Sequence, residues 1–451
     1  MTPEDGPPAR LLTSASLTLA TRVVTFGLSL VMNIILARAL GPEGRGVYAV
    51  AVLIPGLIGI VASLGLSPAN IYYFSKGLMS ADELIGNATS AALIVGTVCY
   101  AAVLAYIELS GSGRFAGING QFVLVSCISV PFLLETGYLQ GLLVGAQRFA
   151  FYNLAYFAQS AAALVGVTVI VYAAHGSTMG AVIAWTIAQV IACLVAVYGA
   201  VTIGRLSLRL HVATLRQLLR FGLISYLSSF TSFVNLRFDL LLVNLFAGAR
   251  QAGLYSVGTS LAEMVWYIAN SAGTVLAPRV AAAKPEQGDR MTEAVCRVVA
   301  FLAVVAAVVL GLLAPFVVVL FFGPAFGDSK WAVWLLLPGV VTFSVARVIS
   351  MYLLGRNQLK IDLLASSVAF VVTLALDLAL IPPFGFRGAA VASSIAYTGA
   401  MAVGLWWVTR RSTITLGALL LLRRSDAEML VRRVRHAAAY GLSALAGRGA
   451  C

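Results

Sequence analysis

Seven ionisable residues interrupt otherwise apolar runs in this chain: Arg22, Glu135, Arg237, Asp239, Glu263, Arg347 and Asp377. A charge inside such a run is costly unless it faces protein or a water-filled cavity, so each is a candidate for function. Arg22 shares its run with Ser14, Thr18, Thr25, Ser29 and Asn33 at spacings of three or four, which places all six on one helix face. A guanidinium on a polar stripe suits an anion carrying phosphate oxygens. A second stripe, Ser225, Ser228, Ser232, Asn235 and Asp239, has the same spacing. Arg237 falls roughly 200° around the helix from Asp239, so their side chains leave opposite faces. Structural roles compete at several of these positions: Arg237 and Arg347 as cations snorkelling to an interface, Glu135 and Glu263 as neutral acids bonded to neighbours.

The elements that must hold these residues are membrane helices. Of 451 residues, 60% are hydrophobic and 10% charged, with a mean hydropathy of +0.95. That is far beyond the roughly 45–50% apolar content of soluble domains. Runs of about 20 apolar residues, each able to cross a hydrocarbon layer of about 30 Å, recur from end to end. Spans are predicted near 10–38, 44–75, 84–107, 120–145, 150–173 and 178–203, then 218–247, 251–277, 295–322, 331–355, 361–382 and 388–409. The expected architecture is all-α: two six-helix bundles, 10–203 and 218–409, related by a pseudo-two-fold axis along the membrane normal. A short tail (1–9), a basic linker (204–220) and a basic amphipathic tail helix (410–451) complete the chain. The amino-terminal MTPEDGPPAR lacks the form of a cleaved signal. The five cysteines are scattered, with no metal or disulfide spacing.

An internal repeat supports the two-bundle reading. The hairpin NIILARALGPEGRGVYAVAVL at 33–53 returns as LLLVNLFAGARQAGLYSVGTS at 240–260, which aligns Gly41 with Gly248, Gly46 with Gly253 and Tyr48 with Tyr255. Near span ends these glycines suit tight turns and close helix approach, and the tyrosines suit an interfacial aromatic belt. Most Lys and Arg residues fall in loops on one side, including the linker, 279–297 and the tail, so both termini are expected in the cytoplasm. The net charge of +13 sits beside spans, where anionic lipid is the expected partner and nucleic acid is not.

ARALGPEGRGVYAVA after the first span, GLYSVG after the seventh, RGAAVA opening the twelfth and the six-plus-six layout together resemble polysaccharide transporters of the multidrug/oligosaccharidyl-lipid/polysaccharide (MOP) superfamily. Within it the chain looks like a Wzx-type flippase, over residues 10–410. That resemblance implies a multi-pass protein of the bacterial cytoplasmic membrane that moves polyprenyl-diphosphate-linked oligosaccharide by alternating access, with a polysaccharide polymerase and glycosyltransferases as further partners. The expected cargo contacts are Arg22, Thr25, Ser29, Asn33, Glu135, Asn235, Arg237, Glu263 and Arg347. Asp239 and Asp377 lie at similar depth by the 1.5 Å rise per residue, with Thr373 one turn from Asp377 and Ser394 at a comparable level on the next span. Oxygen donors of this kind suit Na⁺, and a desolvated carboxylate suits H⁺. Relatives in the superfamily place a cation site among the same three spans. No other cofactor and no metal cluster is expected.

Other functions fit less well. GxxxxGK[ST] is absent, so ATP is not the expected energy source. A cation-coupled multidrug exporter of the same superfamily would favour an acidic, aromatic cleft, whereas Arg22 and Arg237 favour an anionic cargo. A membrane-embedded glycan polymerase or ligase would carry catalytic polar residues in a sizeable loop, yet the longest outer loop, 108–120, contributes only Glu108 and Arg114 as charges. The chain is therefore expected not to be an enzyme.

Overall fold

The computed structural model describes residues 7–111, 113–170, 177–356, 358–412 and 414–420. The proposed amphipathic tail helix lies almost wholly outside these, as do residues 1–6. The described chain is helical apart from a two-stranded hairpin pairing Arg114–Phe115 (β1) with Ile118–Asn119 (β2). The first half runs as α1 (Pro7–Ala62), α2 (Leu66–Ser75), α3 (Ala81–Leu109), α4 (Gly120–Cys127), α5 (Val130–Gly145), α6 (Phe149–Thr168) and α7 (Thr178–Val201). The second half comprises α8 (Val212–Ala247), α9 (Ala249–Ala262), α10 (Trp266–Ala282), α11 (Pro285–Val317), α12 (Ser329–Gly355), α13 (Leu359–Phe384), α14 (Phe386–Arg411) and α15 (Leu416–Leu420).

Among the described residues, nine helical stretches are long and apolar enough to cross a membrane, and α1 holds two of the predicted crossings in one of these stretches. Predicted spans seven and eight form as α8 and the α9–α10 pair but are not among the nine; α9 and α10, at 14 and 17 residues, are individually short. Every predicted span is helical over its described residues, with local differences. The second span is broken at Gly65, the fourth between α4 and α5, and the eighth at a 3-10 turn over Glu263–Val265. On α11 and the π-helical turn Val318–Phe322 that continues it, the side chains of Val304, Val308, Leu312, Phe316 and Leu320 are all exposed. Spaced by four, they form the apolar stripe that a helix presents to lipid.

The chain divides into two compact units whose boundary is not the half-chain boundary: Met1–Thr259 with Ala314–Val333 and Thr373–Ala392, and Ser260–Leu313 with Trp334–Val372 and Ser393–Cys451. In the first unit the linker is strapped to the start of α3. The Arg205 N–H donates to Asp82 Oδ1 at 2.7 Å and the His211 N–H to Asn87 Oδ1 at 2.9 Å. α2 packs on α8 through stacked Tyr72 and Phe221 rings 4.4 Å apart, and the Tyr226 hydroxyl reaches the Val61 carbonyl at 3.1 Å. In the second unit, Leu276, Val280, Val299, Val348, Ile349 and Leu353 form the core. Asp289 ties α11 to α12, accepting from the Tyr352 hydroxyl at 2.8 Å and pairing with Arg356 at 3.6 Å.

The repeat is visible in the backbone. Gly41 adopts φ 65°, ψ −179° and Gly248 φ 84°, ψ 169°, the same conformation, which a residue with a Cβ rarely adopts. The two hairpins also touch within the first unit: a Cβ on Gly46 would overlap the Ala249 carbonyl, and one on Gly253 would overlap the Pro42 carbonyl. Arg38 closes the same end by donating to the carbonyls of Leu320 and Phe321. A Cβ at Gly59 would meet nothing within 4 Å. Gly59→Ala is therefore expected to raise the thermal unfolding temperature, helix propensity contributing up to about 1 kcal/mol. Gly46→Ala is expected to lower it, overpacking costing about 1–3 kcal/mol. Unfolding of both variants in detergent checks this difference in sign.

Candidate functional site

Asp239 lies on α8 and is buried. Its carboxylate accepts from the Tyr255 hydroxyl at 2.5 Å and from the Leu240 N–H at 2.7 Å. One turn earlier on α8, Asn235 accepts from the Thr373 hydroxyl at 2.7 Å, which brings α13 against this face. Asp377, the next turn of α13, is 0% exposed, and neither of its carboxylate oxygens has a hydrogen-bond partner. The charges of Asp239 and Asp377 act on each other. Two carboxylates in one dry polar cluster repel, and an oxygen-preferring cation or a proton would relieve that repulsion.

Of the predicted cation group, the fold brings Asp239, Thr373 and Asp377 together. Ser394 belongs to the second unit, where its hydroxyl donates to the Leu335 carbonyl at 2.6 Å and accepts the Gly339 N–H at 3.1 Å. Asn235 was expected among the cargo contacts, but its amide oxygen is taken up in the acid cluster. Tyr255 was not expected there at all. Tyr48 and Tyr255 correct the aromatic-belt reading: both are buried, at 3% and 0% exposure. The signal that could have shown this is positional. Tyr255 lies 16 residues beyond Asp239, with the Gly248 turn between them, so the hairpin folds one onto the other.

The α1 stripe faces α6 at one end and its own hairpin at the other. The Asn153 amide donates to Thr18 at 3.0 Å. Arg22 is exposed; it donates to the Tyr152 hydroxyl at 3.2 Å and sits 4.7 Å from the centre of the Tyr156 ring. The Thr25 hydroxyl bonds the Arg22 carbonyl, and the Asn33 amide bonds the Ser29 carbonyl. The side chains of Ser14, Ser225, Ser228 and Ser232 lie outside the described residues.

The other predicted cargo contacts are dispersed. Glu135 is buried inside the first half, where Oε1 accepts from the Thr89 hydroxyl at 2.7 Å and Oε2 has no partner. It lies on α5 and is bonded to a neighbour on α3, the structural role that its sequence left open beside cargo contact. Arg237 is half-buried on α8, and Glu263 is half-buried in the 3-10 turn of the second unit. In that unit Arg347 Nε donates to Asn270 Oδ1 at 3.2 Å, and its guanidinium lies 5.8 Å from the Phe343 ring centre. Phe343 belongs to an aromatic group with Trp266 and Tyr397, at 4.8 Å from each. Spread over α10, α12 and α14, that group has no sequence spacing by which to recognise it.

Comparison with known proteins agrees with this architecture. Residues 35–331 match the family described as "Polysaccharide biosynthesis protein". The Shigella flexneri protein named "Putative O-antigen transporter" is 25% identical over 394 residues, covering 84% of this chain and 93% of that one. Among solved structures, the lipid II flippase MurJ in an inward closed conformation superposes with a TM-score of 0.77 at 15% identity, covering 89% of each chain. An inward-facing multidrug resistance MATE family transporter of the MOP superfamily gives 0.70 at 18% identity, covering 88% of this chain and 98% of that one. The fold is that of the MOP-superfamily transporters, a multi-pass membrane architecture. The chain belongs to the polysaccharide biosynthesis protein family, and the matched proteins are transporters and flippases by name, not glycan-processing enzymes.

The acid cluster makes a testable contrast in stability. Tyr255→Phe removes a donor from a buried carboxylate and is expected to cost about 1–3 kcal/mol. Asp377→Leu removes a buried group that has no partner and is expected to be neutral or stabilising. Thermal unfolding of the purified variants at neutral pH checks both.

Proposed function

We propose that this chain is a flippase that carries a polyprenyl-diphosphate-linked oligosaccharide across the bacterial cytoplasmic membrane by alternating access. The observation that carries this reading is the exposed Arg22 guanidinium seated on Tyr156 and bonded to Tyr152, in a chain of the polysaccharide biosynthesis family. A guanidinium pairs with diphosphate oxygens in a bidentate manner that an ammonium cannot match. Aromatic faces beside it suit the C–H faces of sugar rings. The named Shigella relative and the lipid II flippase fold support the same reading. Both termini are taken to face the cytoplasm, where the loops rich in Lys and Arg belong. Glycan polymerase and glycosyltransferases are the partners such a cargo requires.

Transport is coupled to H⁺ or Na⁺ at the Asp239, Thr373 and Asp377 cluster. The orphaned Asp377 oxygens support this, since a buried carboxylate without a donor has a place for a proton or a cation. Tyr255 and Leu240 hold Asp239 in position.

Deletion of the gene tests the cargo: surface polysaccharide is expected to disappear while its lipid-linked precursor accumulates inside. Arg22→Gln should restore export about tenfold less well than the wild-type gene, the loss of a charge-assisted hydrogen bond of about 1.5–3 kcal/mol, and Arg22→Lys should fall between. A deletion that leaves the glycan intact and sensitises cells to cationic dyes contradicts the reading. In vesicles, Asp377→Asn is expected to make transport insensitive to collapse of the ion gradient, and full sensitivity in that variant would rule the cluster out as the coupling site.

A further inference from the structure

Arg45 is a buried cation to which the described residues supply no counter-charge within ion-pair distance. It sits four residues beyond the Gly41 turn and is 6% exposed. Its Nη2 donates to Asn33 Oδ1 at 2.5 Å, its guanidinium lies 5.4 Å from the Tyr48 ring centre, and its Nε is buried with no partner. Among the described residues no carboxylate lies within 4.0 Å of it, and Glu43, two positions away, is exposed. Removing a guanidinium from water without a counter-ion is expensive, and buried charges in proteins are ordinarily paired.

The repeat shows that the hairpin does not need this charge to fold. The position equivalent to Arg45 is Ala252, itself buried, and the position equivalent to Asn33 is Leu240. The second copy makes the same turn, with Gly248 matching Gly41 and Tyr255 matching Tyr48, on an apolar pair. The two tyrosines thus serve opposite charges: Tyr255 donates to a carboxylate, whereas Tyr48 lies beside a guanidinium. Arg45 also adjoins Gly46, whose backbone seals against the Ala249 carbonyl. Parting of that glycine contact would loosen the turn of helix that carries Arg45.

We infer that Arg45, oriented by Asn33, is a binding site for a diphosphate oxyanion at the Gly41 hairpin, distinct from the exposed Arg22 and engaged when the two hairpins separate. The inference rests on the proposed lipid-linked cargo and adds a second station for its anionic head. A free Nε beside Nη2 offers the two-pronged edge with which arginine grips oxyanions.

Binding of polyprenyl diphosphate and of the uncharged polyprenyl alcohol to the full chain in nanodiscs tests this, with inorganic pyrophosphate as competitor. The wild type is expected to prefer the diphosphate lipid, Arg45→Ala to bind it about tenfold or more weakly, and Arg45→Lys to lie between. Because alanine is what the second hairpin carries, Arg45→Ala should fold. Should its unfolding temperature collapse, Asn33→Leu replaces it, with a smaller loss of affinity expected. Competition by pyrophosphate that disappears in Arg45→Ala places the recognition in the diphosphate itself; competition unchanged in that variant overturns the inference. Equal, tight binding of the diphosphate lipid by wild type and Arg45→Ala also overturns it while leaving the cargo reading intact. A wild type that binds the diphosphate no better than the alcohol overturns both.

Discussion

Backbone meets backbone where the two hairpins touch, and the rest of the first unit is arranged around that contact. Pro42–Gly46 and Ala249–Gly253 approach so closely that neither Gly46 nor Gly253 has room for a Cβ. The approach fixes the kink inside α1 and the end of α8, since each turns on a glycine of positive φ, Gly41 and Gly248. It also fixes what lies behind them. Tyr48 and Tyr255, each seven residues past its turn glycine, are driven into the interior rather than to an interface. Small residues that let helices meet are a common means of association in membranes, where apolar burial alone provides little drive.

Behind that contact the two halves have diverged electrically. The second carries Asp239 and Asp377 in one dry cluster, and the first carries Arg45 with no acid within ion-pair distance among the described residues. Buried groups of this kind are costly to a fold and are characteristic of sites where function has opposed stability. An acid pair suited to a small cation and a guanidinium suited to an oxyanion would be complementary devices under the proposed function, in which the cargo is an anion and the energy an ion gradient. Arg22, in contrast, stands exposed on its aromatic support and can meet cargo without any rearrangement of the hairpins.

Much of the fold was legible in the sequence because hydrophobic length and the hairpin repeat are one-dimensional signals. Glycine at 41 and 248 announced two identical turns, and both are found. Asn235 and Asp239, four apart on one predicted helix face, are both buried, and Thr373 bonds Asn235. Depth along a helix says nothing about which neighbour a hydroxyl meets: that of Ser394 bonds the α12 backbone. The tyrosines misled for a related reason: proximity to a span end suggests an interface only when no second hairpin covers that end. Arg45 stands at the very start of the second predicted span, where a charge draws no notice, and only its burial reveals it as a charge needing a partner.

The central claim is that a lipid-linked anionic glycan crosses the bilayer on this protein. It is tested most directly by reconstituting the purified chain in liposomes that hold a fluorescent polyprenyl-diphosphate oligosaccharide in the inner leaflet, and following its arrival outside with a membrane-impermeant quencher. The account predicts protein-dependent arrival that accelerates when an inward-directed H⁺ or Na⁺ gradient is imposed. Arrival no faster than in protein-free liposomes, from a preparation that expels a cationic dye, would contradict it.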